Sequence, residues 1–180
     1  MVPVTADCTR DFTAAHYTGG RDVADIKWVV LHSTEGDTAM GAAAWFQNPH
    51  SSGSAHLVVD DQHCFRTLPN DLIPWAAPGA NEWGFHIEMA GHAYWSGSEW
   101  RHHDLTLRRA AFKTAYHCGL FKIPARWIGP TGLRLRRKGI TTHADCTKAF
   151  GGSHTDPGAG FPKDVFLSYV KEYAKQLGSL

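Results

Sequence analysis

At 180 residues, 43% of them hydrophobic, the chain is long enough to bury one substantial core and is expected to form a single domain. Its 18 basic and 17 acidic residues leave a formal charge of +1, which excludes a global field for nucleic acid or an anionic membrane. No apolar run approaches the roughly 20 residues that a membrane span needs, and Met1 to Cys8 lack the basic and apolar regions of a secretory signal.

Residues 1–25 contain Gly19-Gly20 and read as an irregular N-terminal lead-in that packs over the first strand. Ile26 to Leu31 is a β run ending in His32, which puts an imidazole at the rim of a sheet, on rigid backbone. Asp37 is placed to cap a helix over Met40 to Phe46, which stops before Asn48-Pro49. Ala55 to Asp60 and His63 to Leu68 suggest a hairpin across Asp61-Gln62, and Pro69, Pro74 and Pro78 mark a long loop holding Trp75. Trp83 to Ala90 alternates as a strand, with Phe85, Ile87 and Met89 on one face and His86 and Glu88 on the other.

Gly91 to Arg101, rich in aromatics and glycine, reads as a surface loop. Asp104 to Gly119 has helical spacing of its apolar residues, a cap at Asp104 and a stop at Gly119. Arg134, Arg136, Arg137 and Lys138 form a basic cluster, and Pro162 starts a terminal helix that runs to Leu177. This order predicts an α/β fold: a single domain with a central mixed β-sheet flanked by helices.

The stretch that organises the chemistry is Ile140 to Gly160. A strand leads into His143, and a glycine-rich link leads to His154, Asp156 and Pro157-Gly158, all read as one loop. With His32 from far upstream, the chain offers two or more imidazoles and a carboxylate, the ligand set of a zinc hydrolase that keeps a fourth position for water. Cys146, three residues after His143, allows a closed structural zinc site as an alternative. The cysteines (Cys8, Cys64, Cys118, Cys146) are widely spaced in a chain that needs no staples and are expected to be free thiols. A serine hydrolase built on Ser33 or Ser153 lacks a nucleophile-elbow pattern.

A resemblance that spans roughly Ile26 to Lys175 rests on four ordered blocks. They are Leu31-His32-Ser33-Thr34; Ser54-Ala55-His56 running to Asp60; His86-Ile87-Glu88-Met89-Ala90-Gly91; and Thr142-His143 followed by His154-Thr155-Asp156-Pro157-Gly158. In these blocks the chain resembles the zinc-dependent N-acetylmuramoyl-L-alanine amidases, the type 2 amidase and peptidoglycan recognition protein family, and most of all a phage endolysin amidase domain.

The resemblance implies a zinc amidase catalytic domain over residues 26–177, with Zn2+ held by His32, His143 and Asp156 and with Glu88 and His154 catalytic. Glu35, close to His32, is the rival base, and His56 reads as a supporting residue rather than a ligand. Where many members have lysine two positions before the last ligand, this chain has His154, whose imidazole can stabilise an oxyanion with a charge that depends on pH. Trp75, Trp95 and Trp100 are candidates to stack on sugars or stem peptides, and the basic cluster to meet an anionic wall polymer or stem carboxylates. The implied partner is bacterial peptidoglycan, met by a monomer with no nucleic acid and no membrane involved. The protein is expected to be made in the host cytoplasm without a signal peptide and to act on the cell wall. A non-catalytic peptidoglycan recognition module is the alternative.

Overall fold

The protein is described by a computed structural model covering residue 8 and residues 10–178; the start of the lead-in, residues 1–7 and residue 9, lies outside the described residues. In chain order the elements are β1 (Arg10–Asp11), β2 (Tyr17–Thr18), β3 (Trp28–Ser33), α1 (Ala39–Gln47), β4 (Leu57–Val59), β5 (Cys64–Arg66), β6 (Ile73–Pro74) and β7 (Gly84–Met89). They continue with α2 (Gly97–His102), α3 (Asp104–Leu120), α4 (Pro130–Arg134), β8 (Gly139–Thr142), α5 (His143–Phe150) and α6 (Lys163–Gln176).

A six-stranded sheet runs β1-β5-β4-β7-β3-β8, and a second, two-stranded sheet pairs β2 with β6. In the main sheet β4 and β5 are antiparallel, as a hairpin requires, and the other neighbouring pairs are parallel. This is the mixed sheet expected from the order of elements. The central strands β3 and β7 are covered on both faces, which is why they read as nearly continuous apolar runs.

The alternation along these strands sorts their side chains between two layers. Val29 and Leu31 of β3, with Phe85, Ile87 and Met89 of β7, join the main core beneath α3 and α6. There α3 contributes Leu107, Ala110, Ala111 and Ala115, and α6 contributes Phe166, Val170 and Tyr173, both at helical spacing. Trp28 and Val30 face the other way, onto Ile128, Leu133 and Cys146. A further cluster joins α1 to the hairpin through Ala43, Phe46, Val58 and Phe65.

Several local expectations are corrected. Helix α1 is capped by Thr38, whose hydroxyl accepts the Gly41 N–H, and not by Asp37. Helix α3 has His103 at its N-cap with no side-chain cap bond, and Asp104 sits in its first turn, where its charge favours the helix dipole. Gly91 to Arg101 is not wholly a surface loop: Ser96 caps α2, and Trp100 within α2 is fully buried, edge-on to Trp95 and Phe161. The described part of the lead-in does not pack over β3 as one piece: β1 pairs with β5 at the far end of the sheet, β2 pairs with β6, and Arg21 donates to the Gly84 carbonyl at the start of β7.

The thiol expectation is also corrected in part. Cys8 and Cys64 form a disulfide that ties the lead-in to β5, while Cys118 and Cys146 are free and buried.

Candidate metal centre and active site

Three parallel strands end at one rim. In register, His32 of β3 lies beside Glu88 of β7, and Leu31 lies beside Thr142, the last residue of β8. The carboxyl ends of parallel strands are where open α/β sheets present ligand sites.

His143 follows at once, and it does not sit on a loop. Thr142 ends the strand and caps α5, its hydroxyl accepting the Asp145 N–H, so His143 is the first residue of a helix. The reading of this stretch as one loop is therefore corrected; the loop begins only at Gly151, where the backbone turns to positive φ. The Asp156 carbonyl accepts the Ala144 N–H at 2.9 Å, which satisfies a free donor of the first helical turn and docks the second ligand segment against the first. On its other side that segment touches the Ala93 carbonyl so closely that a Cβ at Gly158 would run into it; with φ at +92°, only glycine suits.

Three side chains converge as a result. His32 Nδ1 lies 3.1 Å from His143 Nδ1 and 3.2 Å from Asp156 Oδ2, and His143 Nδ1 lies 3.0 Å from Asp156 Oδ1. All three residues are buried. A tetrahedral ion with ligands at about 2.0–2.1 Å needs donor atoms roughly 3.3 Å apart, so the spacing fits such an ion. Burial would raise the Asp156 carboxyl, but the His143 and His32 imidazoles beside it outweigh that and hold the group well below the usual carboxylate range. Burial lowers His32 and keeps it neutral, with one ring nitrogen's lone pair available. An anionic carboxylate and neutral imidazoles are the protonation states that bind metal.

Glu88 stands beside this group, its Oε1 3.9 Å from His32 Nδ1. Its Oε2 is buried without a hydrogen-bond partner among the described residues. Burial first, then the charges of Asp156 and Glu35, raises its carboxyl well above the usual range. Glu35, the rival base, is exposed and already engaged, accepting from the Ser33 hydroxyl at 2.7 Å and the Ala93 N–H at 2.9 Å.

His154 is 62% exposed, stacks on the His143 ring at 4.2 Å, and places Nδ1 3.7 Å from Asp156 Oδ1. Cys146 is turned away from the ligand group into the cluster with Trp28 and Leu133, and burial pushes its thiol up to about 12. That disfavours the thiolate a closed zinc site needs.

Clefts flank the group. One of about 340 Å³ reaches Glu88 and is lined by Ser33, Thr34, Trp45 and Phe46; another of about 370 Å³ reaches His143 and His154 and is lined by Pro78 and Phe150. Trp45 and Phe150 are exposed aromatics in these clefts that pattern reading assigned only to helix or link; an aromatic on the polar side of a short helix is the signal that points to them. The tryptophans singled out from sequence lie elsewhere. Trp100 is buried, Trp95 stacks on His103, and Trp75 stacks on His16 and donates to the Thr18 hydroxyl. Within the basic cluster, Arg136 lies over the Trp83 ring and Lys138 donates to the Phe121 carbonyl.

Comparison with known proteins decides the family. The family model described as N-acetylmuramoyl-L-alanine amidase matches residues 12–159. The chain belongs to the N-acetylmuramoyl-L-alanine amidase family. No curated protein matches the sequence. Among solved structures, the fold is similar to Staphylococcus aureus hydrolase AmiA in complex with its ligand, with a TM-score of 0.75 at 18% identity over 95% of this chain and 85% of that one. A selenomethionine AmpD derivative gives a TM-score of 0.66 at 18% identity, covering 93% of this chain and 97% of that one. A mutant endolysin from Bacillus subtilis gives 0.61 at 16% identity, covering 92% and 99%.

As a member of this family the chain is an N-acetylmuramoyl-L-alanine amidase, an enzyme that hydrolyses an amide bond. Among its described residues no helix is long and apolar enough to cross a membrane.

Proposed function

We propose that residues 26–177 form the zinc-dependent catalytic domain of a phage endolysin, which hydrolyses the amide between N-acetylmuramic acid and L-alanine. The observation that carries this reading is the convergence of His32, His143 and Asp156 on one point, with the buried Glu88 carboxyl beside it. His32, His143 and Asp156 would hold the ion, which when bound supplies Lewis-acid polarisation of the carbonyl and acidifies water at neutral pH.

The rest is done by the chain. A cation beside Glu88 favours its carboxylate form. In that form Glu88 takes a proton from the water whose oxygen attacks the lactyl carbonyl carbon. As the carbon–nitrogen bond breaks, Glu88 returns the proton to the departing nitrogen, leaving a lactyl carboxylic acid, whose proton passes to the freed L-alanine amine to give carboxylate and ammonium. His154, exposed at the cleft and stacked on His143, donates a hydrogen bond to the oxyanion. The endolysin role is supported by the similarity to the Bacillus subtilis endolysin.

Dialysis against a chelator is expected to abolish release of stem peptides, and one equivalent of zinc to restore it; full activity after verified metal removal would contradict the reading. His154→Lys is expected to retain activity, since lysine also offers an N–H donor to the oxyanion. An inactive but folded His154→Lys protein would remove His154 from the oxyanion role.

A further inference from the structure

Strand β7 presents Gly84, His86 and Glu88 away from the main core, and the middle residue has no place in the chemistry above. His86 is fully buried, with Nδ1 2.9 Å from His32 Nε2. The register accounts for the contact: His32 pairs with Glu88 and Val30 with His86, so the two rings meet diagonally across adjacent parallel strands. Glycine at 84 makes the space, because a Cβ there would run into the His86 ring and the Ala80 carbonyl. The His86 main-chain N–H donates to His56 Nδ1 at 3.0 Å, so a second buried histidine anchors this point of the strand.

The far nitrogen of His86, Nε2, is buried with no hydrogen-bond partner among the described residues. A buried polar atom in that condition costs free energy that an apolar side chain would not. The presence of an imidazole is explained by what its other nitrogen does.

We propose that His86 is a positioning residue that fixes the tautomer and ring plane of His32, an inference that rests on the metal-centre reading. A neutral imidazole carries one N–H and one lone pair. With His86 Nδ1 accepting, the His32 proton sits on Nε2 and the Nδ1 lone pair faces His143 and Asp156. Were His86 to donate instead, the His32 proton would sit on Nδ1, in the middle of the donor group, and close it to a cation. Groups that hold the second nitrogen of a metal-binding histidine act in this way generally.

Two measurements test this. Long-range nitrogen–proton correlation spectra of the metal-free protein are expected to show His32 protonated at Nε2 and bare at Nδ1; a proton on Nδ1 overturns the proposal. Zinc affinity, by competition with a chromophoric chelator, is expected to fall about 10–100-fold in His86→Leu. In His86→Asn, whose amide oxygen replaces the Nδ1 acceptor, it should stay within about threefold of wild type by the same reasoning. Wild-type affinity in His86→Leu, or equal losses in both variants, overturns it. A wild-type protein that takes no zinc would instead defeat the metal-centre reading, and the tautomer spectrum would still decide the positioning. If His86→Leu does not fold, the spectrum and the asparagine variant decide.

Discussion

Asp156→Ala is expected to lose bound metal and amidase activity together while keeping its fold. The side chain supplies one of the three converging donors, and its two imidazole neighbours, acting against burial, make it the anion of the group. The structural role at this position belongs to the backbone: the Asp156 carbonyl, which caps α5 through the Ala144 N–H, is untouched by the substitution. Metal catalysis is worth several kcal/mol of barrier, so the rate should drop on the order of 10³-fold or more. Metal analysis, circular dichroism and stem-peptide release on one preparation check this. A folded, metal-loaded and active variant would remove Asp156 from the ligand set.

Glu88→Gln is expected to keep its metal and lose turnover by about 10²–10⁴-fold, because the amide reproduces the shape of the carboxylate but carries no proton between water and leaving nitrogen. The same variant has a stability signature. Burial, with Asp156 and Glu35 nearby, raises the folded carboxyl well above the ordinary 4.5. A group raised on folding contributes stability that is full below its unfolded value and is lost as pH rises through its folded value. Glutamine has no such loss. In metal-free protein the melting temperature of Glu88→Gln should therefore gain on that of wild type as pH rises from about 4.5. A difference independent of pH would mean that Glu88 is not the raised group, and full activity would end its catalytic assignment.

Much of this site was legible in the sequence because its parts are fixed by short-range rules. His32 could be placed at a strand end because the apolar run before it is buried on both faces, and Glu88 could be placed on the face opposite Phe85, Ile87 and Met89 because a strand alternates with period two. What stayed hidden depends on contacts between segments. The glycines after Phe150 drew the whole stretch from His143 toward a loop reading, and the cap between Thr142 and Asp145 that starts α5 at His143 is a subtler local signal. Trp100 looked like a loop aromatic because nothing in its own neighbourhood shows that Trp95 and Phe161 close over it. The Cys8–Cys64 pairing, across 56 residues, requires knowing that the lead-in reaches β5. The meeting of His86 with His32 needs the register of β3 against β7, which no spacing within either strand reveals.

The most direct test of the account is metal content of the purified protein, paired on the same sample with mass spectrometry of digested peptidoglycan. The account predicts about one zinc per chain and stem peptides released with free L-alanine amino ends. Zinc without cleavage would make the domain a recognition module, and cleavage by a protein free of metal would contradict the role given to His32, His143 and Asp156.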